Sequence, residues 1–96
     1  MYKVYAILRI SDSSHQTEPY VSVEAASNYE EDLIDELPNL YDEYLRTIAS
    51  YYSEQEKQED WYKNMLKQIQ WDSDRRGFTD ASGYKQYIRY VLKELA

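Results

Sequence analysis

The chain has 96 residues, and 11 lysines and arginines stand against 18 aspartates and glutamates, so the formal net charge is -7. Cysteine is absent, which excludes disulfides, thiolate metal sites and cysteine nucleophiles. Hydrophobic residues make up 43% of the chain but are too scattered to predict a membrane span. We therefore expect one soluble cytoplasmic domain over residues 1–96, with no secretory signal and no membrane association.

The N-terminal quarter has the composition of two strands. Residues 2–10 are rich in β-branched and aromatic residues and predict the first strand. Residues 11–19 are mostly turn formers and predict a polar loop. Residues 20–24 alternate again and predict a second strand, antiparallel to the first. Because a two-stranded hairpin is marginally stable alone, helices must cover one of its faces.

A helix is predicted to begin after Ser27, because Ser27 and Glu30 have the spacing of a capping box. It is predicted to end near Leu37, since the residue before a proline, here Pro38, disfavours the helical conformation. Asn39 is then suited to cap a second helix. The sequence thus predicts a helix break in the middle of the acidic region.

The remainder of the chain is also predicted to be mainly helical. Ser53 and Glu56 form another capping-box pattern, which leaves open whether the helices that meet there are one or two. Residues 61–69 follow as a helical segment, residues 72–77 as a loop, and a last helix begins near Asp80 with a basic stripe formed by Lys85, Arg89 and Lys93. The predicted fold class is α+β, with an N-terminal two-stranded antiparallel β-hairpin followed by three or four packed α-helices.

The sequence offers few residues in patterns typical of a catalytic site. His15 is the only histidine and falls in the predicted polar loop, where no orienting carboxylate is positioned for it. Asp72 and Asp74 lack the spacing of a calcium loop and are more typical of a turn. With only two glycines there is no phosphate-binding loop. We predict no catalytic residue, no cofactor and no metal site, although counting carboxylates does not exclude an acid–base pair.

The most informative feature is a run of acidic residues. Between Glu24 and Glu43 there are eight acids and no base. Pairs four residues apart, such as Glu31 with Asp35, lie on one face of a helix and repel each other by a few tenths of a kcal/mol. Asp35 and Glu36 would also lie at the negative end of the predicted helix, which disfavours carboxylates by about 0.3–1 kcal/mol. Such uncompensated repulsion indicates a functional surface.

Two plainer interpretations of the acidic run remain open. Acidic surfaces keep many small proteins soluble, and a charge run is usually a solvated face. Alternatively, the basic stripe of the last predicted helix could neutralise the acids within the chain or across a homodimer. Tyrosine, with 12 residues, is unusually frequent, and rings beside an acidic surface can act as anchors in an interface.

In size, acidity, lack of cysteine and the acids from Glu30 to Glu43, the chain resembles small acidic inhibitors of phages and mobile elements, which include anti-CRISPR and antirestriction proteins that imitate DNA. The resemblance includes no diagnostic motif, and that class shares no fold. The Tyr51–Tyr52 pair also resembles bacteriocin immunity proteins, which are all-helical, unlike the strands predicted here. The resemblance implies action in the cytoplasm of a bacterial host.

The leading hypothesis is a non-catalytic inhibitor that binds a basic nucleic-acid-binding protein, such as a nuclease complex, without binding nucleic acid itself. The alternatives are an immunity or antitoxin-like protein with one cognate toxin, and a self-associating structural module. The predicted partner-binding residues are the carboxylates that would replace phosphates and three tyrosines at their edge: Glu31, Asp32, Asp35, Glu36, Asp42, Glu43, Tyr41, Tyr44 and Tyr51.

Overall fold

A computed structural model describes residues 2–13, 18–83 and 86–96. Within these ranges the chain forms five strands, two α-helices and one short 3₁₀ helix, Glu56–Gln58. The strands are β1 (Tyr5–Ser13), β2 (Tyr20–Ser27), β3 (Ile69–Trp71), β4 (Gly77–Asp80) and β5 (Gln86–Glu94); the α-helices are α1 (Glu30–Ala49) and α2 (Asp60–Leu66). The predictions for His15 and Lys85 lie outside the described residues.

The strands form one antiparallel sheet in the order β2-β1-β5-β4-β3. The predicted fold of a β-hairpin followed by three or four packed helices is therefore wrong, since strands account for more residues than helices. The predicted antiparallel pairing of β1 with β2 is present, but as one edge of the larger sheet. The third to fifth strands were not predicted.

The largest error concerns the predicted last helix, which is the strand β5. Ile88, Tyr90 and Leu92 point to one side of the sheet, while Arg89 and Val91 point to the other, as a two-residue period requires. The same segment also has apolar residues at helical spacing, so periodicity alone did not separate the two structures. Pairing with β1 along nine positions decided the outcome.

α1 continues through Pro38 and reaches Ala49, so the predicted break is wrong. Proline removes one backbone hydrogen bond, but burial of Leu33 and Leu37 on one side of it and packing of residues such as Tyr44 on the other hold the helix together. The predicted Ser27–Glu30 capping box is also absent. The hydroxyl of Ser27 instead donates to Asp32 and accepts from the Tyr29 amide.

The second capping box forms as predicted. The Ser53 amide donates to the Glu56 carboxylate at 2.9 Å, and the Glu56 amide donates to the Ser53 hydroxyl at 3.1 Å. This box opens the 3₁₀ turn rather than a long helix, and α2 starts only at Asp60. The chain therefore bends at Ser53, and the helices on either side are separate.

The two sides of the sheet differ in character. The side facing α1, the helix side, carries the core, formed by Ile7, Leu33, Leu37, Ile69, Phe78, Tyr90 and Leu92. The alternate residues of each strand point to the opposite side, which we call the far side. Because paired residues share a side, the register places Leu8, Ile10, Val21, Val23 and Val91 on the far side.

Gly77 allows β4 to approach β5 closely. A Cβ atom built on Gly77 would lie 2.3 Å from the Tyr90 carbonyl oxygen, which is backbone and cannot move aside. The turn before it contains Arg75 at a φ of 61°, and the Asp74 carboxylate accepts from the Arg76 amide. The segment predicted as a loop is thus the tight connection between β3 and β4.

Candidate functional site

The outer face of α1 carries two rows of carboxylates. Successive residues on a helix turn by about 100°, so residues four or seven apart lie nearly above one another. One row, the β2-side row, consists of Asp32, Glu36 and Glu43. The other, the distal row, consists of Glu31, Asp35 and Asp42. The distal row therefore lies opposite Leu33 and Leu37, and the β2-side row lies between it and the buried side of the helix.

None of these six carboxylates forms an ion pair with a base among the described residues. Five of them are exposed, and Glu36 is half-buried. Asp32 accepts from Ser27, and Glu36 accepts weakly from Asn39 at 3.5 Å. Arg46, in the last turn, is the only base in the helix sequence. The six acids therefore form no direct ion pair within the described part of the chain, although Arg9 lines the same cavity as Glu43.

Two arginines of the described residues are paired with other acids. Arg76 pairs with Glu30 at the start of α1, and Arg89 makes a two-point contact with Asp72. Arg89 lies on the far side of the sheet, where it also donates to Thr79 at 3.1 Å. The alternative that Arg89 neutralises the acidic face within the chain therefore finds no support in the described residues.

The hypothesis for Asp35 and Glu36 needs one correction. The sequence placed them at the negative end of a helix, but both lie in the first half of α1, well before Ala49. The unfavourable interaction with the helix dipole is therefore absent, because that effect is confined to the last turn. What remains is the mutual repulsion of the rows, which the longer helix extends to Asp42 and Glu43.

The mean charge density along α1 is close to that of a nucleic acid strand. Glu31 and Glu43 are separated by about 18 Å along the helix axis, given a rise of about 1.5 Å per residue. The six carboxylates therefore supply about one charge per 3 Å of axis. One strand of duplex DNA supplies one charge per about 3.4 Å.

A cavity of about 260 Å³ lies beneath the C-terminal half of the β2-side row. Glu43 and Thr47 line it from α1, Glu24 lines it from β2, and Arg9 lines it from β1. Burial raises the pKa of Tyr90, another lining residue, and the neighbouring Arg9 guanidinium opposes that shift. The β2-side row therefore overhangs the sheet at β2, as the contact of Asp32 with Ser27 also shows.

The three predicted tyrosines lie in different surroundings. Tyr41 is half-buried, with its ring centre 5.1 Å from those of Trp71 and Phe78. Tyr44 packs on Phe78 and Tyr90 on the helix side of the sheet. Tyr51 follows α1 and is 74% exposed. Tyr51 alone of the three presents most of its ring to solvent, whereas the other two also pack the helix onto the sheet.

Tyr44 carries a second, polar contact. Its hydroxyl donates to the carboxylate of Asp80, which is only 8% exposed and also accepts from the Ser82 amide and hydroxyl. Burial, followed by the hydrogen bond to Asp80, raises the pKa of Tyr44 well above its usual value. Tyr44 therefore stays protonated and ties α1 to β4.

Sequence reasoning missed a surface at the sheet edge. Tyr20, Val21 and Val23 of β2 are 75%, 53% and 61% exposed. The strand itself was predicted, and its alternation could have shown that Val21 and Val23 share a side. What the sequence did not reveal is that β2 lies at an edge, because the strands that fix its position, β5 and β4, were read as helix and loop.

Other kinds of site find little support in the described residues. They contain no group of three or more histidine, aspartate or glutamate side chains arranged to hold a metal ion. Asp72 is instead bound to Arg89, and Asp74 caps the turn before Gly77. In the same ranges, no helix combines the length and the apolar character needed to cross a bilayer.

Comparison of the chain with protein-family models, with curated proteins and with solved structures gives no match.

Proposed function

We propose that the protein is a non-catalytic inhibitor that binds the basic nucleic-acid-binding site of a nuclease or another nucleic-acid enzyme through the outer face of α1. The observation that carries the proposal is that the six carboxylates of the two rows have no cationic partner in the described part of the chain, although arginines of the same chain pair with Glu30 and Asp72.

The physical basis is an array of charge held in place before binding. The six carboxylates project from one continuous helix that Leu33 and Leu37 fix to the sheet. The backbone is therefore already ordered, and little conformational entropy is lost when a partner binds. A groove that binds nucleic acid presents lysines and arginines at phosphate spacing, and the rows offer it a similar charge density. Long-range attraction would speed association and make it sensitive to salt.

The proposal is tested by reversing charge on α1. In one variant Asp32, Asp35 and Glu36 become lysine; in a matched control Glu18, Glu54 and Glu59, which are exposed and lie outside α1, become lysine. Both variants change the net charge by the same amount. Each protein is immobilised, exposed to bacterial lysate, and washed with duplex DNA or with salt, and the retained proteins are identified.

We expect the wild type and the control to retain nucleic-acid enzymes that DNA and salt release, and the α1 variant to lose them while its circular dichroism stays unchanged. Retention by the α1 variant would overturn the proposal. Retention by the wild type that DNA does not displace would overturn the DNA-mimic mechanism and would favour an immunity or antitoxin-like protein that binds outside the substrate site.

A further inference from the structure

β2 is a long edge strand. It spans eight residues and pairs with β1 on one side, and none of the described strands pairs with its other side. The opposite edge strand, β3, has only three residues. Edge strands are usually kept from pairing with other chains by shortness, charged side chains, prolines, β-bulges or a covering element. β2 contains no lysine and no proline, and its register shift at Glu24 interrupts only the C-terminal part of the strand, which leaves Tyr20–Val23 as a regular run opposite β1.

The two sides of this edge favour different side chains in a strand added to it. On the far side, Val21 and Val23 are exposed and lie next to Ile10 and Leu8 of β1, which forms an apolar strip. An added strand would extend this strip with alternate apolar residues, since cross-strand neighbours on one side pack together. The apolar side chains of such a strand would bury surface that is now in contact with water.

On the helix side, the same strand would lie next to the β2-side row. Asp32 contacts Ser27 at the end of β2, and Glu43 shares a cavity with Glu24 of β2, so the two ends of the row lie beside the part of the strand from Glu24 to Ser27. Residues that alternate with the apolar ones would face these carboxylates. Lysine or arginine there would gain opposite charges that the chain itself leaves unpaired, whereas aspartate or glutamate would be repelled.

This charge pattern distinguishes between occupants. A second copy of β2 would bring Glu24 but no base, and it would place two acidic helices beside each other. A strand with alternating basic and apolar residues satisfies both sides of the edge. Addition of a strand to an open edge is an established mode of recognition, in which main-chain hydrogen bonds supply affinity and alternate side chains supply specificity.

We propose that β2 accepts an extended segment of the partner as a sixth strand, with basic residues facing the β2-side row of α1 and apolar residues facing away beside Val21 and Val23. This inference rests on the proposed function and deepens it, because it specifies how a basic partner would engage α1 and the sheet together. The main-chain groups of the edge would fix its register.

The test uses a labelled synthetic peptide in which lysine and valine alternate over seven residues, and a control peptide of the same composition with the valines in one block. Binding is measured by fluorescence anisotropy at low and high salt, and amide hydrogen exchange of the protein is followed by NMR. One protein variant carries Val21→Thr with Val23→Thr. Its control carries Gln70→Thr with Ser73→Thr, near the opposite edge.

We expect the alternating peptide to bind at least tenfold more tightly than the blocked peptide, and to protect amides within Tyr20–Val23 from exchange. The Val21→Thr/Val23→Thr variant should lose at least tenfold in affinity, and its control should not. Light scattering of the free protein should give the mass of one chain. A dimer that dissociates in the β2 variant would overturn the proposal in favour of a second copy.

Binding of both peptides with equal affinity, or without protection of β2, would overturn strand addition while leaving the acidic face intact. Absence of binding of either peptide would overturn it as well. The lysine reversal on α1 helps to separate this failure from that of the proposed function, because it removes the carboxylates but leaves Val21 and Val23 in place. If lysate retention depends on α1 but not on Val21 and Val23, only the strand-addition inference fails.

Discussion

The aromatic residues of the core are mostly tyrosines, so the core contains hydroxyl groups that need hydrogen-bond partners. Phenylalanine occurs once, at Phe78, and its ring stacks on Tyr90 with centres 4.7 Å apart. The tyrosines around it fill the volume that phenylalanine usually fills, and each buried hydroxyl needs a hydrogen-bond partner. Tyr44 does so on Asp80, a carboxylate that the fold has removed from solvent. A core of this kind couples packing to proton binding.

We predict that Tyr44→Phe lowers the free energy of unfolding at neutral pH by about 1–3 kcal/mol, since the buried Asp80 loses one of its hydrogen-bond donors. The pKa of Tyr44 is raised by burial and by the bond to Asp80, so its contribution is complete below the unfolded pKa of about 10. It is lost as the pH rises from there towards the folded pKa. Urea unfolding at several pH values measures this.

The difference in stability between wild type and Tyr44→Phe should therefore shrink above about pH 10. The pKa values of Tyr87 and Tyr90 are also raised, by a hydrogen bond to Asp12 and by burial respectively, but both tyrosines are present in the two proteins. A difference that stays constant up to strongly alkaline pH would show that Tyr44 does not titrate with folding.

Among the elements, α1 is the one that sequence rules divided in two and the fold keeps whole. Proline in a helix interior lacks an amide and crowds the carbonyl four residues earlier. Here the helix continues because residues on both sides of Pro38 pack against the same sheet: Leu33 and Leu37 before it, and Tyr41 and Tyr44 after it. The tertiary contacts outweigh the local penalty, and they keep the two rows of acids on one axis.

We predict that Pro38→Ala raises the free energy of unfolding by about 1–3 kcal/mol, because alanine restores the missing hydrogen bond and Pro38 is itself exposed. Asn39→Ala, at the neighbouring exposed position, is the control and should change it by only a few tenths of a kcal/mol. The midpoint of urea unfolding reports both. A destabilised Pro38→Ala variant would indicate that the sheet requires the bend that proline imposes.

The N-terminal strands and the helical acids could be predicted because local patterns determine them. β1 and β2 have clear alternation, and every predicted acid lies on the surface of α1. β5 could not be predicted this way, since Ile88, Val91 and Leu92 have helical spacing while Ile88, Tyr90 and Leu92 have the two-residue spacing of a strand. Its structure is decided by pairing with β1, a contact between opposite ends of the chain that no local window contains.

At the scale of the whole molecule, the charge is distributed unevenly between the two sides of the sheet. The acidic rows stand above the helix side, while Arg89 and Lys93 point to the far side together with Val91. The predicted basic stripe therefore exists in part, with Lys85 outside the described residues. Arg89 and Lys93 lie on one side of a strand rather than on one face of a helix. That side is the far side of the sheet, so both residues point away from α1.

We predict that salt stabilises the protein. Between about 0.01 M and about 1 M sodium chloride the Debye length falls from about 30 Å to about 3 Å, which screens the repulsion within and between the rows. Since each like-charge pair four residues apart costs a few tenths of a kcal/mol, the free energy of unfolding should rise by about 1 kcal/mol. Thermal unfolding at several salt concentrations measures it.

The variant with Asp32, Asp35 and Glu36 changed to lysine is the control for this prediction. Its rows contain charges of both signs, so salt should destabilise it slightly or leave it unchanged. An equal response of the two proteins would place the repulsion elsewhere in the chain.

The position of β5 has a consequence for synthesis. The strand in the middle of the sheet is synthesised after the other four, and Tyr5 must wait for Glu94 before the two can pair. Until then both outer edges of the β1–β2 hairpin are unpaired, and α1 lacks part of the sheet against which it packs. The sheet therefore completes only after β5 has been synthesised, at the slow rate that distant strand pairing imposes.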